Sequence, residues 1–114
     1  MSIPVLKIPF DKEFIVQGDT ISQTELEITE DGIDLTTSTI KMQVYDGNNR
    51  IIDVSNGNGI TIVDSENLII DEVAKENNDL PVGTFLGDFE ITDSSGVRNT
   101  YFRVQYEILK QYTV

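Results

Sequence analysis

Hydrophobic and polar residues alternate over the last third of the chain, in two runs. In the first run three hydrophobic residues and a glycine share one face: Phe85, Gly87, Phe89 and Ile91. In the second run four hydrophobic residues share one face: Phe102, Val104, Tyr106 and Ile108. Because successive side chains leave a strand on opposite faces, a period of two predicts half-buried strands. An acidic, Ser/Gly-rich turn joins the two predicted strands.

Shorter runs of the same kind cover most of the remaining sequence. Further strands are predicted over 2–8, 13–17, 21–29, 39–46, 50–54, 60–63 and 68–70, with a brief pairing over 33–35. The second strongest is 39–46, in which Ile40, Met42 and Val44 face inward. The Asn/Gly-rich run 55–59 is predicted to be a loop. Only 71–78 could be helical, for a turn or two before Pro81.

About eight short strands with at most one short helical turn predict an all-β protein. Strands that recur with turn chemistry between them are typical of an antiparallel β-sandwich. The sequence of 114 residues contains no internal repeat and no low-complexity linker. We therefore expect a single domain over residues 1–114, in which roughly two-thirds of the surface of the unfolded chain is buried.

The net charge narrows the range of partners. The chain has 20 acidic and 8 basic residues, a formal charge of −12, and the basic residues are dispersed. A surface of this sign repels phosphate backbones and anionic lipid, so neither nucleic acid nor a membrane is an expected partner. No apolar run reaches the ~20 residues that span a bilayer.

Catalytic chemistry has little support in the composition. The chain contains no histidine and no cysteine, so the commonest general base and the commonest covalent thiol are missing. Serines lie in turn-like contexts, and abundant carboxylates make any one acidic pair uninformative. The prediction is a protein that is not an enzyme, with no catalytic residue and no cofactor.

The acidic turns raise the question of whether the chain binds calcium. The segment 46–48 begins like an EF-hand loop, but Arg50 and Gly57 stand at its fifth and twelfth positions, where oxygen ligands are needed. Three acidic residues could supply a looser site: Asp64, Glu66 and Asp93. Turn formation is the favoured explanation for them, and no metal site is predicted.

Five motifs occur in a fixed order along nearly the whole chain. They are QGDT at 17–20, DGIDLT at 31–36, IKMQVYD at 40–46, GITIVDSENLII at 59–70 and the segment LPVGTFLGDFEITDSSG at 80–96. This order resembles the N-terminal domain family of phage baseplate upper proteins. The resemblance implies an immunoglobulin-like sandwich that is a structural part of a virion assembled in the host cytoplasm. It also implies other virion proteins as partners, and a second copy of the chain is a further candidate.

Candidate interface residues follow from exposure and apolar character. The N-terminal segment is apolar for a solvated terminus, and alternation places Tyr45 and Tyr101 on outward faces. The predicted interface residues are Ile3, Val5, Leu6, Ile8, Tyr45, Tyr101 and Tyr112. Outward tyrosines are also platforms for sugars, so an immunoglobulin-like adhesin or carbohydrate-binding module stays open as an alternative. Gly87, inside a strand, predicts a bulge or the close approach of another backbone, from the opposite sheet or from a neighbouring subunit.

Overall fold

The fold is all-β, as the alternation predicts. The computed structural model describes residues 5–9, 12, 14–29 and 32–111. Within these ranges the strands are β1 (Val5–Lys7), β2 (Ile15–Val16), β3 (Thr24–Glu27), β4 (Thr39–Asp46), β5 (Asn49–Asn56), β6 (Gly59–Ile62), β7 (Asn67–Ile70), β8 (Gly83–Thr92) and β9 (Arg98–Leu109). The helical elements in the same ranges are two 3-10 turns, Leu35–Thr37 and Lys75–Asn77, and none of them could cross a membrane.

The strands form one hydrogen-bonded path in the order β1-β9-β8-β4-β5-β6-β7-β3, and β2 also pairs with β9. The long central pairs, β4–β5, β4–β8 and β8–β9, are antiparallel, as are β6–β7 and β3–β7. The sheet is nevertheless mixed, because β1 and β2 run parallel to β9 and β5 meets β6 in parallel. The antiparallel prediction therefore holds for five of these strand pairs and is too simple for the short pairs β1–β9, β2–β9 and β5–β6.

A single hydrophobic core shows that this path folds back on itself. Buried residues from both of its ends belong to one cluster, for example Ile60 and Leu68 at one end and Phe89 and Val104 at the other. One sheet can bury both sets together only if its two halves face each other, as in a sandwich. The β5–β6 pairing, in which only two residue pairs are matched, connects the two halves.

The second strongest predicted strand agrees with the structure residue for residue. Strand β4 covers Thr39–Asp46, and the inward residues Ile40, Met42 and Val44 have no exposed surface. Strand β5 continues further than predicted, through part of the expected loop, because the Asn56 side chain takes the place of a backbone partner. Its Oδ1 accepts from the Ile40 N–H at 2.6 Å and its Nδ2 donates to the Ser38 carbonyl at 3.0 Å.

Two short-range predictions need correction. The pairing expected at 33–35 is wrong, because Asp34 starts a 3-10 turn in which its Oδ1 accepts from the Thr36 N–H at 3.0 Å and the Thr36 hydroxyl at 2.6 Å. The helical stretch expected at 71–78 shrinks to Lys75–Asn77. The first residues of the predicted stretch are extended and not helical, because Val73 exchanges backbone hydrogen bonds with Ile21.

Candidate functional site

The outer face of β5, β4, β8 and β9 carries an exposed hydrophobic pair. Tyr45 and Leu86 are direct cross-strand partners, with 39% and 48% of their surfaces exposed. Polar residues lie next to this pair on the same face. Gln43 is the cross-strand partner of Asp88 in β4–β8, and Asp88 is the partner of Arg103 in β8–β9. We call this surface, defined by Gln43, Tyr45, Leu86, Asp88 and Arg103, the Tyr45–Leu86 face.

The face contains a shallow depression with a volume of about 240 Å³, and Gly87 is among the residues that line it. Another backbone does approach position 87, but it belongs to the neighbouring strand β4 of the same sheet, not to the opposite sheet or a second subunit as expected. A Cβ added at Gly87 would lie 2.7 Å from the Cα of Val44 and would also meet the Gln43 carbonyl. Position 87 therefore has space for a hydrogen atom only, and the backbones of β4 and β8 come close together under the face.

Hydrogen bonds hold the polar side chains of the face in place. The Arg103 Nε donates to Asp88 Oδ1 at 3.0 Å, and the Tyr45 hydroxyl donates to Gln43 Oε1 at 3.4 Å. Exposed pairs of this kind contribute about 0–1 kcal/mol each. Their effect is therefore on side-chain orientation more than on stability.

A second set of contacts orders the β5 side of the face. The Arg50 guanidinium lies 6.0 Å from the centre of the Tyr45 ring and donates to Asp53 Oδ2 at 2.8 Å. Gln43 Nε2 donates to the other Asp53 oxygen at 3.2 Å. These hydrogen bonds, that from Arg50 first, hold the pKa of the Asp53 carboxyl below its usual value. Tyr45 thus stands between an arginine and an amide in a fixed arrangement.

Charge is distributed unevenly between the two halves of the sandwich. The outer side of β1, β9, β8, β4 and β5 carries five basic residues: Lys7, Lys41, Arg50, Arg98 and Arg103. It carries four carboxylates, and each is in an ion pair: Asp53, Asp88, Glu90 and Glu107. This surface has a charge of about +1, so the other 16 acidic and 3 basic residues of the chain sum to −13. The Tyr45–Leu86 face is close to neutral on a strongly acidic protein.

The opposite half holds much of the negative charge. Its exposed or half-exposed acidic residues include Glu25, Glu27, Asp64, Glu66, Asp71, Glu72, Glu76 and Asp79. Lys75 is the one basic residue in the described ranges 19–29 and 61–79. A second acidic surface brought against this half would be repelled.

The N-terminal interface residues lie partly inside the domain. Val5 and Leu6 are in β1, which pairs with β9 of the same chain. Ile8 was expected at an interface, but its side chain is 4% exposed and packs in the core. Its N–H donates to the Gln105 carbonyl at 3.1 Å. Ile3 lies outside the described residues.

The tyrosines differ from one another in exposure. Tyr45 is exposed, as predicted. Tyr101 is half-buried against the core, at the point where the β8–β9 register shifts and Glu90 pairs with Thr100. Tyr112 lies outside the described residues. The remaining side chains of the Tyr45–Leu86 face are not among the predicted interface residues, although Leu86 and Asp88 alternate with Phe85, Phe89 and Ile91 and so belong to the opposite face of the strand. The signal for this surface in the sequence is Leu86, a leucine on the otherwise polar face of its strand.

Two of the three carboxylates considered for calcium, those of Asp64 and Asp93, accept hydrogen bonds within turns. Asp64 Oδ1 accepts from the N–H groups of Glu66 and Asn67, both at 2.9 Å, and these bonds lower the pKa of Asp64. Asp93 Oδ1 accepts from the N–H groups of Ser95 and Val97 at 2.9 and 3.0 Å. In the part of the chain that the structure describes, no group of three or more His, Cys, Asp or Glu residues could hold a metal ion.

Comparisons with known proteins support the fold. No family model and no curated protein matches the chain. Among solved structures, the chain is similar to CopC from Methylosinus trichosporium OB3b, with a TM-score of 0.50 and 12% identity over 91% of each chain. This likeness shows a shared sandwich-like β architecture. At such low identity it shows the fold alone.

Proposed function

We propose that the protein is a non-catalytic structural component of a bacteriophage particle, in which it mediates protein–protein assembly. The assignment to a virion rests on the sequence motifs that resemble phage baseplate upper proteins. The observation that supports assembly is the Tyr45–Leu86 face, where an exposed hydrophobic pair lies on the near-neutral side of an acidic domain. The expected partners are other virion proteins, and a second copy of the chain is a further candidate.

The face has the anatomy of an interface core. Protein interfaces place a few aromatic, arginine or aliphatic anchors at the centre and polar groups around them. Here Tyr45 and Leu86 are central, and Gln43, Asp88 and Arg103 surround them. Hydrogen bonds within the face fix these polar groups before a partner arrives, which lowers the entropy lost on binding.

Electrostatics favours contact through this side of the molecule. The two sheets of a sandwich lie about 10 Å apart, which exceeds the Debye length of about 8 Å at physiological salt. Carboxylates on the far sheet are therefore largely screened from a partner bound at the Tyr45–Leu86 face. A contact through the far sheet would place those carboxylates directly at the interface.

Leu86→Glu is expected to reduce the amount of the protein in purified phage particles about tenfold, because a charge at an interface centre is left without a partner. The measurement is quantitative mass spectrometry of particles produced with each variant. Val63→Glu is the matched control, since it adds the same charge at a residue that is 57% exposed on the other half. Equal incorporation of both variants would contradict this role of the face.

A host-surface or carbohydrate-binding module is the second candidate. The observation that favours it is the exposed Tyr45 ring beside the hydrogen-bonding groups of Gln43 and Asp88, an arrangement suited to a sugar. Tyr45→Ala would abolish glycan-array binding if this candidate is correct. Absence of glycan binding by the parent protein would remove it.

A further inference from the structure

An apolar cleft of about 230 Å³ opens between β5 and the segment that follows β7. Aliphatic residues from both sides line it, including Ile51, Ile52, Val54, Val73 and Leu80. Its volume exceeds the ~150 Å³ of an apolar cavity that is large enough to bind benzene. The cleft therefore has space for one or two hydrophobic side chains of another molecule.

One wall of this cleft is a strand edge without a partner in the described part of the chain. Strand β5 pairs with β4 along its whole length, but on its other side only Ser55 and Asn56 pair, with β6. The stretch 51–54 has no strand on that side among the described residues. Exposed strand edges are templates for an added strand, because their N–H and C=O groups lack protein partners.

Hydrogen bonds attach the opposite wall of the cleft to parts of the domain other than β5. The Asp71 N–H donates to the Gly59 carbonyl at 2.9 Å, and Val73 exchanges hydrogen bonds with Ile21. Farther along, Asn78 is buried and its Nδ2 donates to the Asp19 carbonyl at 2.8 Å. These bonds go to β6 and to residues that precede β3, and none of them goes to β5.

The rim of the cleft is acidic. Four carboxylates lie along it: Asp53, Asp71, Glu72 and Asp79. Asp53 is paired with Arg50, and Asp71 accepts from the Thr61 hydroxyl at 2.7 Å. Glu72 and Asp79 are exposed and form no ion pair with a described residue. A ligand with basic groups beside apolar ones would match both the rim and the floor.

We propose that this cleft binds an extended peptide segment with alternating aliphatic and basic residues, which pairs with β5 at 51–54. The aliphatic side chains enter the cleft and the basic side chains reach the carboxylates of the rim. The observations that carry the proposal are the one-sided pairing of β5, the apolar gap beside it and the sign of the rim charge. The cleft and the Tyr45–Leu86 face adjoin at Asp53, which bonds to Gln43, but their other residues differ and the variants below leave Asp53 unchanged, so each proposal can fail without the other.

The test uses the intact protein and a synthetic peptide of sequence KIKVKIK, with binding followed by fluorescence anisotropy. Hydrogen exchange locates the peptide, and we expect slower exchange of the amides within 51–54 when it is bound. Two control peptides are each expected to bind about tenfold more weakly. The first has glutamate in place of lysine. The second is N-methylated along one edge, which removes the N–H donors of that edge. No binding of KIKVKIK at millimolar concentration would overturn the proposal.

Variants of the rim provide a matched comparison. The double change Glu72→Gln and Asp79→Asn is expected to weaken KIKVKIK binding about threefold or more, since two rim charges are lost. Glu25→Gln with Glu27→Gln removes the same charge from β3, outside the cleft, and should weaken binding much less. Equal weakening by both pairs would overturn the proposal. Slower hydrogen exchange of the amides within 51–54 that depends on protein concentration alone, without peptide, would also overturn the proposal. A second copy of the chain would then fill the cleft.

Discussion

Gly87→Ala is expected to lower the free energy of unfolding by about 3 kcal/mol or more, since overpacking against fixed atoms has costs of this order. The added Cβ would lie 2.7 Å from the Cα of Val44, where only backbone atoms could move aside. Moving them would separate β4 from β8, which pair over seven residue pairs in the centre of the sheet. Urea denaturation, followed by circular dichroism, measures the loss.

Leu86→Ala is the matched control for this change. It alters the neighbouring residue on the same strand, whose side chain is about half exposed and leaves the backbone spacing unchanged. Its effect on the free energy of unfolding should stay within about 1 kcal/mol. A Gly87→Ala protein with an unchanged midpoint would show that β4 and β8 lie farther apart than the structure has them.

Phe89→Ala is expected to lower the free energy of unfolding by about 3–5 kcal/mol, the range for removing a buried aromatic ring. Phe89 has no exposed surface, and its ring stacks on Phe102 with 4.5 Å between centroids and 11° between planes. Because domains of this size are stable by only about 5–15 kcal/mol, this one truncation should remove a large fraction of the total.

Phe89→Leu separates the lost volume from the lost aromatic contact. Leucine fills much of the same space, so the change in volume should lower the free energy of unfolding by less than about 1.5 kcal/mol. The lost stacking on Phe102 should add about 0.5–1.5 kcal/mol to this cost. Thermal and urea denaturation of both variants make the comparison. A small effect of Phe89→Ala would contradict a core centred on β4, β8 and β9.

The long strands were predictable from sequence because burial on one face imposes a period of two. This holds for β4, where Ile40, Met42 and Val44 are fully buried, and for most of β8 and β9. The parallel pairings of β1 and β2 with β9 could not be predicted in the same way. Each strand is only two or three residues long, so its pairing depends on distant residues and not on a local pattern.

The candidate site was predictable only in part, for a related reason. Alternation gave the outward direction of Tyr45 and Leu86, but not that they are cross-strand partners. Register depends on the irregularities within the sheet, such as the shift between Val44 and Tyr45 in the β4–β5 pairing. The cleft beside β5 depends on how the two halves of the sandwich meet, which no local pattern reports.

The most direct test of an assembly role is photo-crosslinking from position 86 within phage particles. A photoreactive residue replaces Leu86, and particles are purified, irradiated and analysed by mass spectrometry, with a residue at position 63 as the comparison. We expect the protein to be part of the particle, and position 86, but not position 63, to crosslink to another virion protein or a second copy. Absence of the protein from purified particles, or crosslinks that form equally from both positions, would contradict it.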